Sequence, residues 1–275
     1  MKVLIIGAKG MLGQALATVF NPGNEVISWD RDEIDITQVE SIKLKVKSEK
    51  PELLINAAAY TDVDSAETNS ELANKINGHG VGYLADAAKE LNVPIVHFST
   101  EYVFDGEKRE GYLESDQPVP ISVYGSSKLL GEQELARNTD KFYLIRLSRL
   151  FGSAGNGKKS FIQTMLDLAA SKKEIDAVDE ELSCPTYAAD AAAAAREIVE
   201  KKLPFGIYHR TNSGATTWFG LANELFKLKG IDVKLNAVSA SHFLRPARRP
   251  KFGILLNTKL SAMRPWQEAL KEFLR

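Results

Sequence analysis

The first half of the chain alternates between short apolar runs and longer segments with helical spacing of apolar residues, a pattern that few folds accommodate. It is typical of repeated strand–helix–strand units around a parallel sheet. We predict helices that begin near Met11, Gln38, Ala73 and Ser126. The predicted strands are Lys2–Ile6, Glu25–Trp29, Leu53–Asn56, Pro94–Ser99 and Phe142–Leu147. The sequence therefore indicates a Rossmann-type, doubly wound parallel α/β sheet.

The alternation of predicted strands and helices is less regular in the second half of the chain than in the first. A glycine-rich loop over 152–157 precedes predicted helices over 160–170, 188–201 and 217–228 and a strand over 175–178. These strands are too few for a second complete sheet, so we expect this half to cover the carboxyl edge of the first sheet, where open α/β folds bind ligands. We predict a dinucleotide-binding domain over 1–151 and a smaller substrate-binding lobe over 152–275, with a strand and a helix exchanged between them.

Composition excludes several classes of partner. The 275 residues include 35 Lys and Arg against 36 Asp and Glu, a formal net charge of −1, so no basic field is available for nucleic acid. No run reaches the roughly 18 apolar residues that span a bilayer. The apolar start is too short for a signal peptide, and the single Cys184 cannot form a disulfide within the chain. We expect a soluble, cytoplasmic protein without membrane or nucleic-acid partners.

A glycine motif follows the first predicted strand. Gly7, Gly10 and Gly13 form G-x-x-G-x-x-G at the start of a helix, where glycines permit close approach of a pyrophosphate to unpaired N–H groups. Asp30 ends the second strand 23 residues after Gly7, near the spacing of about 20 at which an acidic residue binds the ribose. Arg31 follows it and favours the 2′-phosphate of NADP, so NADPH and NADH both remain open.

Further residues are expected along the same dinucleotide. Asp35 and Ile36 can close over the adenine, and the small side chains after the third strand suit a loop that lies along a cofactor. Besides the glycines, the predicted contacts are Met11, Leu12, Asp30, Arg31, Asp35, Ile36, Ala57, Ala58, Ala59, Tyr60, Tyr124 and Lys128.

A reducing centre is indicated by Tyr124 and Lys128, which form Y-x-x-x-K on one face of a predicted helix. The ordinary tyrosine pKa of about 10 is high for proton exchange at neutral pH, and we expect the nearby ammonium to lower it. The strand before this helix ends in Ser99 and Thr100, whose hydroxyls can bind a carbonyl oxygen. The order and spacing of these motifs point to reduction of a carbonyl group.

Several longer segments carry a family resemblance. They are N-A-A-A-Y-T-D-V-D-S-A-E at 56–67, S-T-E-Y-V-F-D-G at 99–106, V-Y-G-S-S-K at 123–128, C-P-T at 184–186 and R-P-A-R-R-P at 245–250. With them the sequence resembles the extended short-chain dehydrogenase/reductases and, within them, the dTDP-4-dehydrorhamnose reductase family. The resemblance implies hydride transfer from a reduced nicotinamide to the C4 keto group of dTDP-4-dehydro-L-rhamnose, giving dTDP-L-rhamnose for surface polysaccharides.

The resemblance also implies roles for individual residues. Tyr124 would be the proton donor, Lys128 its activator and ribose ligand, and Thr100 the partner of the carbonyl oxygen. Arg248 and Arg249, stiffened by flanking prolines, carry forked donors that suit a pyrophosphate. The predicted contacts to the dTDP-keto-sugar are Glu101, Val103, Phe104, Arg149, Arg248 and Arg249. Family habit further implies a homodimer.

Four positions differ from the family pattern. Glu101 stands where an aspartate is usual, Arg149 where a tryptophan is usual, Glu180–Glu181 where an Asp-Gln pair is common, and Gly253 where a serine is usual. These differences keep two alternatives open. One is a reductase or epimerase of another nucleotide-activated keto sugar, and the other is a non-catalytic, dinucleotide-binding regulatory subunit.

No metal site is predicted from the histidines, because the four of them lack metal-ligand spacing and suit packing or surface roles. Three acidic residues after the third strand, Asp62, Asp64 and Glu67, leave a choice. They can order the catalytic loop, contact a neighbouring subunit or bind Mg²⁺.

Overall fold

The computed structural model describes residues 1–155 and 159–275, so the last part of the predicted 152–157 loop lies outside the described residues. Its strands are β1 (Lys2–Ile6), β2 (Glu25–Trp29), β3 (Leu53–Asn56), β4 (Ile95–Thr100), β5 (Phe142–Leu147), β6 (Leu150–Phe151), β7 (Glu174–Val178), β8 (Leu182–Ser183), β9 (Thr186–Tyr187), β10 (Gly206–His209), β11 (Lys234–Val238) and β12 (Phe252–Gly253).

The helices follow the same chain order. They are α1 (Met11–Phe20), α2 (Val39–Glu49), α3 (Val63–Ala66), α4 (Ser70–Asn74), α5 (Gly80–Leu91), α6 (Val123–Asn138), α7 (Phe161–Ser171), α8 (Ala188–Glu200), α9 (Trp218–Lys229) and α10 (Trp266–Phe273). A π-helical turn, Lys75–His79, joins α4 to α5, and short 3₁₀ turns occupy Glu101–Val103 and Ala240–His242. No described helix has both the length and the apolar character needed to cross a membrane.

A six-stranded parallel sheet forms the centre of the molecule, in the order β10-β5-β4-β3-β1-β2. The order reverses between β1 and β3, because the chain continues from β1 to β2 on one side and then to β3, β4 and β5 on the other. Such a reversal opens a crevice at the carboxyl ends of the strands, where ligands bind in this class of sheet. The predicted Rossmann-type α/β fold is confirmed.

The sheet is buried on both faces because successive side chains of its strands enter opposite cores. Val3 and Ile5 of β1 join a core with α1 and α8, whereas Leu4 and Ile6 join a core with α2, α5 and α6. This explains why the strands are continuous apolar runs rather than alternating ones. Helices cover both faces of the sheet, so polar side chains lie mainly at its carboxyl edge.

The helix boundaries differ from prediction at two places near that edge. The helix predicted from Ser126 begins at Val123, because the Ser122 hydroxyl accepts a hydrogen bond from the Gly125 N–H group (3.1 Å) and caps it. The helix predicted from Ala73 begins at Ser70 and contains the π-helical turn. The first change places Tyr124 in the opening turn of α6.

The second half contributes to the large sheet as well as covering it. The edge strand β10 pairs with β5, and α8 packs against α1. Strand β10 has four residues, and so short a pattern could not be identified from the sequence. The remaining strands form three two-stranded pairs, β6–β9, β7–β11 and β8–β12, and the first two pairs contribute to a third core. A boundary at residue 151 stays a prediction.

Candidate active site

The end of β4 and the start of α6 meet at the carboxyl edge of the sheet. Thr100 is the last residue of β4, and Tyr124 lies in the first turn of α6. A Cβ atom at Gly125 would collide with the Tyr102 carbonyl oxygen, so glycine is needed there for α6 to approach the turn after β4. The rings of Tyr102 and Tyr124 then pack edge to face, with 5.4 Å between centroids. Local packing therefore brings Thr100 and Tyr124 together.

Lys128 lies one turn further along α6 and is almost completely buried. Its Nζ atom donates a hydrogen bond to the Phe98 carbonyl oxygen of β4 at 2.7 Å. Burial lowers the pKa of Lys128 to about 8, and the charge of Glu132 opposes this shift. Glu132 is itself held by the Arg146 guanidinium of β5 through bonds of 2.9 and 2.6 Å. The lysine is thus a buried amine that remains mainly protonated at neutral pH.

The predicted lowering of the tyrosine pKa is wrong for this structure. Burial raises the pKa of Tyr124 well above its usual value, the negative charge of Glu101 raises it further, and the Thr100 hydroxyl opposes both. The Lys128 ammonium is bonded to β4 and does not offset these effects. The phenol is consequently protonated at neutral pH, which is the state of a proton donor.

The Thr100 hydroxyl forms a hydrogen bond with the side chain of the next residue, Glu101. The hydroxyl donates to Glu101 Oε2 at 2.7 Å and accepts from the Tyr102 N–H group at 3.2 Å. The Glu101 carboxyl group is buried, which raises its pKa, and Ser148 Oγ lies 3.3 Å from its other oxygen. Ser99 Oγ is buried and has no hydrogen-bond partner within the described residues. Of the two predicted hydroxyls, only that of Thr100 is in contact with Tyr124.

Glu101 and Gly253 occupy one space. A Cβ atom on Gly253 would lie 2.8 Å from Glu101 Cγ, closer than real side-chain contacts allow. The Glu101 side chain therefore occupies the space that a side chain at position 253 would need. Two of the four departures from the family pattern are a matched pair in space.

The other two departures also meet. The Arg149 Cζ atom lies 4.2 Å from the centre of the Trp218 ring, and its guanidinium donates to the carbonyl oxygens of Thr216 (2.8 Å) and Glu181. Trp218 Nε1 donates to Glu181 Oε2 at 3.0 Å, and Arg245 pairs with the same carboxylate. Burial lowers the pKa of Arg149 to about 10, which leaves it charged at neutral pH. A stacked arginine and a tryptophan thus stand beside Glu101.

The glycine motif has the geometry of a dinucleotide cradle. A Cβ atom at Gly7 would come within 2.5 Å of Ala58 N, and one at Gly13 would collide with the Gly7 carbonyl, so this crossing of β1, α1 and the loop after β3 requires glycine. Gly7 has a φ of +81°. Gly10 precedes α1 without a side-chain cap, which leaves the first N–H groups of that helix for an anion. The residues present fit a nicotinamide dinucleotide.

The predicted ribose and adenine contacts are distributed around this cradle. The Asp30 carboxylate accepts the N–H groups of Lys9 and Arg31, each at 2.9 Å, which fixes it at the end of β2. Asp35 accepts from the Thr37 N–H group and hydroxyl. Leu12 and Ile36 belong to the buried cores, so their side chains pack rather than face an open surface. Met11 packs against Gly152.

The segment after β3 is held by a buried amide that sequence reasoning missed. Asn77, in the π-helical turn, accepts the Tyr60 N–H group (2.8 Å) and donates to the Tyr60 carbonyl (3.0 Å). Asn77 also donates to Ser127 Oγ on α6 at 2.9 Å. Ala57 and Ala58 are tied to β1 and to Asn56 by their own N–H groups. The expected cofactor segment, Ala57–Tyr60, is therefore connected rigidly to the catalytic helix.

Two predicted substrate contacts lie in the interior. Val103 and Phe104 are fully buried, and Phe104 stacks on Tyr112 with 4.2 Å between centroids. The Arg146 guanidinium lies 5.0 Å from the centre of the Phe104 ring. Their side chains support the turn after β4 instead of offering a free surface to a sugar.

The two arginines of the R-R-P segment differ. Arg249 forms a forked pair with the Asp64 carboxylate (3.1 and 2.6 Å), whereas Arg248 is exposed. Arg248 lines a cavity of about 450 Å³ together with Arg245, Lys251 and Phe243. Glu180 and Glu181 also line the cavity, but its basic side chains outnumber them and leave positive charge for an anionic ligand.

The acidic segment orders other loops. Glu67 Oε1 accepts the Val123 N–H group at 2.9 Å and so anchors the start of α6, while Asp64 holds Arg249. Asp62 caps α3 by accepting from the Ser65 N–H group. Within residues 1–155 and 159–275, no group of acidic, histidine or cysteine side chains has the arrangement of a metal site.

Taken together, the glycine cradle, the reversal of strand order and the Thr100–Tyr124–Lys128 group define a nicotinamide-dependent oxidoreductase of the extended short-chain dehydrogenase/reductase type. The model of the RmlD substrate binding domain family matches residues 1–275. The chain belongs to that family, as the sequence resemblance indicated.

Individual relatives align with this chain over nearly the full length of both. A dTDP-4-dehydrorhamnose reductase from Aggregatibacter actinomycetemcomitans is 37% identical, covering 98% of this chain and 97% of its own. A probable dTDP-4,6-dihydroxy-2-methyloxan-3-one 4-ketoreductase from Streptomyces antibioticus is 33% identical over 99% and 94% of the two chains. The crystal structure of a dTDP-4-dehydrorhamnose reductase from Bacillus anthracis in complex with NADP has a TM-score of 0.95 and 35% identity, covering 100% and 99%.

Proposed function

We propose that this chain reduces the C4 keto group of dTDP-4-dehydro-L-rhamnose to give dTDP-L-rhamnose. The observation that carries the proposal is the group formed by Thr100, Tyr124 and Lys128 at the carboxyl edge of the sheet, next to the glycine cradle. The names of the full-length relatives support the substrate.

The residues divide the chemistry between them. A bound reduced nicotinamide supplies the hydride. Tyr124, kept protonated by its raised pKa, donates a proton to the keto oxygen as negative charge develops there. Thr100 donates to the same oxygen when its hydroxyl turns away from Glu101. The positive charge of Lys128 favours the phenolate that remains on Tyr124.

The nucleotide part of the substrate suits the basic cavity. The exposed guanidinium of Arg248 is available to a pyrophosphate, and Arg249 supports the same loop through its pair with Asp64. Glu101 and Arg149 would face the sugar, because they adjoin the Thr100 hydroxyl and the Trp218 ring.

For the cofactor, we propose a preference for NADPH over NADH. Arg31 is exposed at the end of β2, while the Asp30 carboxylate is occupied by two main-chain N–H groups. An exposed guanidinium favours the 2′-phosphate of NADPH. The NADP complex of the Bacillus anthracis relative is consistent with this preference. A homodimer and a role for Mg²⁺ stay predictions from the resemblance.

A second candidate is reduction of a different dTDP-activated keto sugar. It is favoured by the Arg149–Trp218 stack, which places a charged plane beside the sugar position, and by the relative from Streptomyces antibioticus with a different named substrate.

The experiment is to mix the protein with enzymatically prepared dTDP-4-dehydro-L-rhamnose and follow the near-ultraviolet absorbance of NADPH and, separately, NADH. We expect rapid oxidation of NADPH, slower oxidation of NADH and dTDP-L-rhamnose as the product. An Arg31→Ala variant should lose affinity for NADPH and keep that for NADH. No oxidation by a protein that binds NADPH in calorimetry would reject this substrate and favour the second candidate.

A further inference from the structure

A buried pair of opposite charges lies one turn beyond the catalytic lysine on α6. The side chains of Glu132 and Arg146 are 5% and 1% exposed, and Arg146 donates to both carboxylate oxygens, at 2.9 and 2.6 Å. A buried ion pair adds little to stability, because both charges lose their hydration when the chain folds. Its place beside the active site therefore points to a role in the chemistry.

The pair and the lysine occupy neighbouring places between α6 and the sheet. Lys128 and Glu132 are four residues apart, so their side chains leave the same face of the helix. Lys128 Nζ donates to the Phe98 carbonyl oxygen of β4, while Glu132 binds Arg146 of β5. In the β4–β5 register Arg146 is opposite Ser99, one residue after Phe98. The three charges therefore share one buried layer.

The Arg146 guanidinium is also fixed from strand β10. Its Nη1 atom donates to His209 Nε2 at 3.3 Å, and His209 Nδ1 donates to the Leu256 carbonyl oxygen at 3.0 Å. Burial and the charge of Arg146 lower the pKa of His209 to about 4, so the ring is neutral at neutral pH and accepts from the arginine. The second half of the chain thus holds the partner of Glu132 in place.

Two other titratable side chains near Lys128 are uncharged at neutral pH. His97 of β4, whose Nε2 atom is 3.5 Å from Lys128 Nζ, stays neutral because burial and the lysine charge lower its pKa. Tyr124 stays protonated, because burial and the charge of Glu101 raise its pKa. Burial opposes the ammonium form of Lys128, and the Glu132 carboxylate is the charge that favours it.

We propose that Glu132 is a positioning residue, whose carboxylate, held by Arg146, keeps Lys128 in the ammonium form that stabilises the phenolate of Tyr124. Without that carboxylate, burial and the remaining Arg146 cation would both favour a neutral amine. The phenolate left after proton donation would then lack its counter-charge. The consequence for turnover rests on the proposed function, but the charge of Lys128 does not.

The first test is the titration of Lys128 in the full chain without cofactor. It is followed by the signals of ¹³C-labelled lysine, and Lys128→Met assigns the resonance. We expect a midpoint of about 8 in the native chain. Glu132→Gln keeps the size of the side chain but removes its charge, so the midpoint should fall by about one unit.

The matched control is Glu134→Gln. Glu134 is also buried on α6 and pairs with an arginine, Arg137, so this variant loses the same charge from the same helix. Its Lys128 midpoint should match the native one. An unchanged midpoint in a folded Glu132→Gln protein would overturn the proposal.

Two further variants separate charge from packing. Glu132→Asp keeps the charge and should have a midpoint close to the native one; a fall as large as that of Glu132→Gln would assign the effect to packing and contradict the proposal. If Glu132→Gln does not fold because Arg146 is left unpaired, Glu132→Gln/Arg146→Met removes both charges. The midpoint of this double variant should still be below the native one, because Glu132 is the member of the pair that acts on Lys128.

The second test is the pH profile of the proposed reduction. The kcat/KM of Glu132→Gln should be about fivefold below native at pH 8 and nearly native at pH 6, because the lower pH restores the ammonium group. Equal losses at both pH values would indicate a structural defect and contradict the proposed role. The titration uses no sugar, so a wrong substrate and a wrong role for Glu132 give different results.

Discussion

The cofactor side and the sugar side of the active site are built differently. On the cofactor side, main-chain contacts at Gly7 and Gly13 and buried amides at Asn56 and Asn77 fix the geometry. On the sugar side, charged side chains such as Glu101, Arg149 and Glu181 contact one another. Backbone geometry tolerates few substitutions, whereas paired side chains can be exchanged together. Single substitutions should therefore disturb the cofactor side more than the sugar side, where a second change can compensate for the first.

The largest expected effect is on the chemical step. Tyr124→Phe removes the proton donor, so kcat should fall by about 10²–10⁴-fold while the Kd for NADPH stays within a few-fold. Tyr143→Phe is the control for a lost buried hydroxyl, because Tyr143 donates to the Leu203 carbonyl away from the site. Turnover measured beside calorimetric titration checks the prediction. Native turnover in the Tyr124→Phe variant would show that a group other than Tyr124 donates the proton.

The next effect tests the pairing of Glu101 with Gly253. Gly253→Ala forces a Cβ atom against Glu101 Cγ and should lower kcat/KM about tenfold, because the Thr100 hydroxyl follows Glu101. Glu101→Ala removes the Cγ atom, so Gly253→Ala should cost much less in that variant than in the native chain. Strictly additive losses in this double-mutant cycle would argue that the two positions are independent.

A smaller effect is expected from Arg149→Lys. An ammonium group cannot reproduce the fork that donates to the Thr216 and Glu181 carbonyls while stacking on Trp218. The KM for the keto sugar should rise about fivefold, equivalent to about 1 kcal/mol, with kcat little changed. Arg196→Lys, which removes a similar fork to the carbonyls of Val19 in α1 and Pro22 just after it, is the control and should leave KM unchanged. An equal fall in kcat would place Arg149 in the chemical step.

The smallest effect concerns the Asp64–Arg249 pair. Arg249 lowers the pKa of Asp64, so the pair stabilises the folded state above the ordinary aspartate pKa of about 4 and this contribution is lost as the pH falls below it. Partial exposure limits the contribution to about 1 kcal/mol at most. Asp64→Asn should lower the Tm at neutral pH by at most about 2–4 °C and by less near pH 3. A larger loss of Tm near pH 3 than at neutral pH would contradict this assignment.

The sequence predicted the parts of the site that depend on local motifs. The glycine motif, the i, i+4 spacing of Tyr124 and Lys128 and the position of Thr100 at a strand end follow from short-range rules, and the structure brings Thr100 and Tyr124 into contact. The tyrosine pKa was beyond such rules, because its direction is decided by burial and by Glu101 rather than by helical spacing.

Long-range partners escaped prediction for the same reason. His97 and Asn56 face each other because β3 and β4 are neighbours in register, although 41 residues separate them. A histidine within an apolar strand is a signal, since a buried imidazole needs hydrogen-bond partners, but the sequence does not identify them. The contact between Glu101 and Gly253 likewise depends on the fold, because the two residues lie far apart in the sequence.

Helix α8 and strand β10 come from the second half of the chain but complete the core and the sheet of the first half. This affects when the nascent chain can fold. Ala191, Ala195 and Ile198 cover the same core as Leu16 and Phe20 of α1, and β10 completes the edge beside β5. A nascent chain that ends at residue 151 would leave this apolar face of the sheet open to water. We expect the dinucleotide-binding half to acquire stable structure only after residue 209 has left the ribosome, so folding of the cofactor site waits for much of the substrate lobe.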